Sequence, residues 1–125
     1  MATQTELRPL VVKITAGEEA PERCSQGFTV AAAAVSAGAQ VSVWLTGEAV
    51  WLAVPGRAAE FSLPHAAPLD TVLELLLLSG RITVCTQCAA RRDLTADDLL
   101  PGVVISGAAS YVEEILGAGT QAVVY

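Results

Sequence analysis

The chain has 125 residues, 53% of them hydrophobic, and a formal net charge of −6. That is the length of one domain with enough apolar mass for a core of its own, and the acidic balance excludes nucleic acid and an anionic membrane surface, which call for a basic stripe. Three cysteines are too few, and odd in number, for a disulfide framework.

No apolar run approaches the ~18 residues that span a bilayer. The polar start MATQTELRPL lacks the apolar centre of a secretory signal. These features lead us to expect one domain, residues 1–125, in the cytoplasm with its thiols reduced.

Leu10–Ile14 (LVVKI) reads as a strand apolar enough to be buried on both faces. Thr15 to Gly17 make a turn, and Glu18 and Glu19 sit at the start of the next helix, where carboxylates suit the dipole. Pro21 fits its first turn. Cys24, Phe28, Ala31, Ala32 and Val35 mark its inward face, and Gly38 closes it after about Ala37. Val41 to Leu45 (VSVWL) is a second strand, followed by a Thr46-Gly47 turn and a short helix from Glu48 to Ala53.

Residues 54–68, rich in proline, read as a loop that carries the single histidine, His65. Asp70 is a suitable cap for a helix that Gly80 ends. Within it, TVLELLLLS is apolar most of the way round, so this helix is sandwiched or shared between subunits. Ile82 to Val84 form a third strand. Thr95 to Asp98 form a capped turn and Val103 to Ile105 a fourth strand. Ala108 to Leu116 form a helix and Ala122 to Tyr125 a last strand.

Strands alternating with helices predict an α/β fold, a flavodoxin-like five-stranded parallel sheet with helices on both faces. The common order for five strands is 2-1-3-4-5, with its switch point between strands 1 and 3. That order sets the end of strand 3 beside the turn after strand 1. The end of strand 3 is where the chemistry-bearing stretch lies, RITVCTQCAARRDL. Cys85 ends the strand and Cys88 enters the next helical turn. Arg91 and Arg92 follow three and four residues later, within reach on a helix. A helix start and guanidinium groups both favour a thiolate, so Cys85 and Cys88 are the candidate reactive groups, with Arg91 and Arg92 stabilising them. A buried cysteine can equally be a small hydrophobe, which is the reading for Cys24.

Cys85, Cys88, Cys24 and His65 could in principle form a tetrahedral donor set. Structural zinc sites bring a second close pair, and here Cys24 and His65 stand alone, so no metal is expected. No phosphate-binding glycine motif occurs, so no nucleotide and no other cofactor is expected.

The segment VCTQCAARRDL, the segment VSVWLTGEAVWLA and the closing GVVISGAASYVEEIL with AVVY come in an order and spacing that resemble the DsrE/DsrF-like family. These are small sulfur-relay proteins of the TusD and YchN types. The resemblance runs from Leu10 to Tyr125. Family members with two thiols here usually continue into Ala-Arg-Gly. Arg92 matches the arginine, while Arg91 and Asp93 replace its neighbours.

The resemblance implies a flavodoxin-like fold and a homo-oligomer, trimeric or hexameric. It also implies a cysteine that accepts and passes on sulfur as a persulfide. The family's commonly placed cysteine corresponds to Cys85, with Cys88 as an additional thiol. Sulfur donor and acceptor proteins are the implied partners. Two other functions fit the residues: a thiol–disulfide oxidoreductase using Cys85 and Cys88, and a non-catalytic oligomeric binding module.

Overall fold

The computed structural model describes residues 6–125. β1 (Leu10–Ile14), β2 (Val41–Leu45), β3 (Arg81–Cys85), β4 (Val104–Ser106) and β5 (Gln121–Val124) form a parallel sheet in the order β4-β3-β2-β1-β5. The α/β architecture agrees with the sequence reading, and the strand order does not. The expected 2-1-3-4-5 arrangement is replaced by one in which the first three connections each advance one strand in the same direction. β2 therefore lies between β1 and β3, and the neighbour of the β3 end is the turn after β2.

Connection direction also decides which face each helix covers. Right-handed crossovers that advance one way place their helices on one side of the sheet. α1 (Pro21–Ser36) and α3 (Leu69–Ser79) accordingly pack against each other over the same strands. Val12, Ile14, Val43, Leu45, Ile82 and Val84 point to that side and are fully buried. The short α4 (Thr86–Arg91) continues the series. Only the last connection crosses back, from β4 over the sheet to β5, so among the described residues α5 (Ala108–Ile115) is the one helix on the opposite face.

Residues 54–68 are not wholly loop. They contain a one-turn helix, α2 (Arg57–Glu60), whose Ala58 is buried. Arg57 stacks on the Trp51 ring at 4.8 Å. His65 is exposed there with a left-handed backbone (φ 65). The cap of α3 is Pro68 and not Asp70, which sits in the first turn and accepts the N–H of Thr71 at 2.9 Å. α3 is sandwiched in part: Leu69, Leu73 and Leu76 are buried, while Leu78 is 80% exposed.

Candidate functional site

Cys85 is the last residue of β3 and the residue that caps α4. Val84 before it is fully buried, and Thr86 and Gln87 after it are exposed, so the chain leaves the core at this thiol. Partial burial pushes the Cys85 thiol up. Hydrogen bonds from the Cys88 N–H, the Cys88 thiol and the Gln87 N–H, with the charge of Lys13, outweigh it and hold the thiol below its ordinary value. Each of these groups favours the thiolate over the thiol.

Cys88 is 9% exposed, one turn into α4. Its sulfur accepts the backbone N–H of Gly47 at 3.3 Å. Gly47 belongs to the turn after β2, where its φ is +54. Glu48 of the same turn pairs with Arg92 at 2.8 Å and also accepts the Trp51 indole N–H at 3.2 Å. Arg92 donates in addition to the Cys88 carbonyl at 3.1 Å. The turn after β2 is thus tied to α4 at both the sulfur and the backbone of Cys88. The turn after β1 abuts it in turn, since a Cβ on Gly17 would meet the Glu48 carbonyl oxygen at 2.6 Å.

The structure brings Cys85 and Cys88 together. Arg92 reaches them through Glu48 and the Cys88 carbonyl. Arg91 is exposed at the end of α4. The cation whose charge acts on Cys85 is Lys13 of β1, which sequence reading passed over. A single charge in the apolar strand LVVKI was the available signal, because a lysine held in a sheet needs a reason to be there. Its ammonium lies 5.1 Å from the centre of the Tyr111 ring on α5. Gly47 and Glu48 were also missed; only the strand order shows that their turn lies beside α4.

Cys24 lies in the core among Val12, Phe28 and Ala31. Burial first, then Glu19 and Glu18, push its thiol up to about 12, so it stays protonated and inert. Among the described residues no group of three His, Cys, Asp or Glu side chains is placed to hold a metal ion.

The DsrE/DsrF-like family profile matches residues 10–120, almost the full described chain. The chain belongs to the DsrE/DsrF-like family. No curated protein matches it. Among solved structures, this DsrE/DsrF-like chain is similar to the YchN protein from E. coli, with 16% identity and a TM-score of 0.79 over 95% of this chain and 100% of that one. It is also similar to MTH1491 from Methanobacterium thermoautotrophicum, a protein of unknown function, at 14% identity and a TM-score of 0.66. That match covers 96% of this chain and 100% of the other. A third, BT1422 from Bacteroides thetaiotaomicron, has 13% identity and a TM-score of 0.60, covering 93% and 94%. These likenesses extend over the DsrE/DsrF-like fold as a whole. Among the described residues no helix is long and apolar enough to cross a membrane.

Proposed function

We propose that this DsrE/DsrF-like protein, a single domain over residues 1–125, is a cytoplasmic sulfur carrier whose Cys85 accepts and passes on sulfur as a persulfide. The observation that carries the reading is the Cys85 thiol at the core's edge, held toward its thiolate by two N–H groups, the Cys88 thiol and Lys13. A thiolate is the species that sulfur exchange requires. The Cys85 thiolate attacks the outer sulfur of a donor persulfide, R–S–SH. The donor's S–S bond breaks, a persulfide forms on Cys85, and the donor leaves as R–S⁻, with no net oxidation. The same step in reverse hands the sulfur to an acceptor thiolate.

Cys88 resolves the carrier when no acceptor arrives. Its sulfur attacks the inner sulfur of the Cys85 persulfide, giving the Cys85–Cys88 disulfide and hydrogen sulfide, so that two thiols are oxidised as the sulfane sulfur is reduced. Arg92 positions Cys88 through the Glu48 pair, and Arg91 supplies positive charge on the rim where an anionic persulfide arrives. The partners are sulfur donor and acceptor proteins. The three free cysteines suit a reducing compartment.

The carrier works as a homo-oligomer, trimeric or hexameric. Support for this comes from the face that α5 covers. α5 buries none of its residues, and Val112, Leu116 and Val124 are 44%, 76% and 61% exposed around it.

Intact mass spectrometry after exposure to a persulfide donor tests the function. A gain of one sulfur, lost in Cys85→Ser, is expected. Cys88→Ala cannot resolve the persulfide and should keep the added sulfur. Loss of two hydrogens in the native chain with no sulfur gain in Cys88→Ala would instead identify a thiol–disulfide oxidoreductase, and no change in either would leave a binding module.

A further inference from the structure

On the α5 side of the sheet, a cleft of about 390 Å³ runs between α5 and the β3–β4 edge. This is within the range of small-molecule sites, roughly 300–1,000 Å³. Thr83 forms part of its floor and Ser106 lies at its upper end. Ser106 is the cross-strand partner of Cys85, so the cleft begins beside the reactive thiol. Arg81 lies four residues back along β3, about 13 Å at roughly 3.3 Å per residue. The α5 wall contributes Ser110, Glu113 and Glu114.

One group in this cleft is left unpaired. Thr83 is 1% exposed, and its Oγ1 is buried without a hydrogen-bond partner among the described residues. A buried unpaired hydroxyl costs about 1–3 kcal/mol, and valine would fill the same space without that cost. A hydroxyl kept there is explained by a ligand that pairs with it. The ends of the cleft state which ligand. Arg81 spends one nitrogen on Glu114 at 2.8 Å and is otherwise open to solvent, which suits a carboxylate. Glu113 is exposed and suits an ammonium. Thr83 between them suits a peptide N–H or C=O group, and the Ser106 hydroxyl, which donates to Ser110 at 2.7 Å, leaves the Ser110 hydroxyl hydrogen to give to a C=O.

We propose that this cleft binds the organic part of a zwitterionic short-peptide thiol, two or three residues long, and presents its persulfide to Cys85. The proposal rests on the sulfur-carrier reading above and names a substrate class for it. The apolar stripe does not compete for the space. With 3.6 residues per turn, Val112 and Leu116 lie on the flank of α5 opposite Ser110 and Glu114.

Two measurements test it. The first is calorimetric titration of the whole protein with S-methylglutathione, which has the peptide but no transferable sulfur. Saturable binding is expected, retained in Cys85→Ser. Thr83→Val and Glu113→Gln should each weaken it about tenfold, the worth of one good hydrogen bond. No saturable binding, or unchanged affinity in both variants, overturns the cleft. The second follows loading of Cys85 by intact mass with glutathione persulfide or inorganic polysulfide. A loading rate that saturates with the peptide persulfide supports the proposal. Loading by polysulfide with no peptide binding sinks the cleft and leaves the carrier standing. Peptide binding with no loading from either donor sinks the carrier, and with it the cleft's role as a donor site.

Discussion

The backbone N–H of Gly47 donates to the sulfur of Cys88 across 3.3 Å. That contact fixes the Cys88 sulfur against the turn after β2. Cys88 is in turn among the groups that hold the Cys85 thiol below its ordinary value. The turn that seats Cys88 lies more than forty residues earlier in the chain.

Replacing Gly47 with alanine should disturb this junction. Its φ of +54 disfavours a side chain, and a Cβ there would lie 2.7 Å from the Thr15 carbonyl oxygen. We expect a loss of about 2 kcal/mol, the usual scale for a strained backbone position. Urea unfolding measures it. An unchanged midpoint would show that the turn relaxes freely.

The pH dependence of Cys85 alkylation should report its neighbours. In the native protein the inflection should lie below the ordinary 9.0. Lys13→Met removes a positive charge and should move it upward, and Cys88→Ala should do the same by removing a hydrogen bond. Less thiolate at neutral pH then means slower alkylation, with little change on the alkaline plateau. An inflection at 9.0 or above in the native protein would mean that burial dominates and that the thiol is structural.

Cys24 should make stability fall at alkaline pH. Folded, its thiol is pushed up to about 12, while the unfolded thiol ionises near 9.0. The unfolded state therefore loses its proton first. The stabilisation is complete below about 9 and is lost as pH rises toward about 12. Cys24→Ala should cost about 1 kcal/mol at neutral pH through lost burial. Its stability should then decline less than that of the native chain above pH 9.0. Parallel declines in the two proteins, followed by chemical denaturation, would contradict this.

Leu116→Glu should break the proposed oligomer. The side chain is 76% exposed at the C-terminal cap of α5, one turn after Val112, so the charge costs the folded subunit little. Light scattering should show a smaller particle with circular dichroism unchanged. An unaltered mass would move the interface elsewhere, with exposed Leu78 on α3 the next place to look.

The placement of Cys85 was legible from local rules. An apolar run buried on both faces must end where the chain first meets water, and that run ends at Cys85. Strand bounds at Leu10–Ile14 and Val41–Leu45 followed from the same hydrophobic runs. Cys24 was equally clear, since it shares a helical period with Phe28 and Ala31. α2 was hidden, because four residues between prolines and glycine carry too little periodicity to register.

The chain by itself determined a parallel α/β sheet and a thiol pair at the end of its third strand. Periodicity, capping residues and the spacing of two cysteines are local properties, and local properties survive being read in one dimension. Tertiary structure alone decided which groups surround that pair. Arg92, four residues after Cys88, is taken up by Glu48, while Lys13, more than seventy residues away, supplies the charge felt by Cys85. The physical reason is strand order. Inserting β2 between β1 and β3 brings Gly47 onto Cys88 and leaves α5 on the far face. No hydrophobic pattern encodes that order, because a strand buried on both faces reads the same in any central position of the sheet.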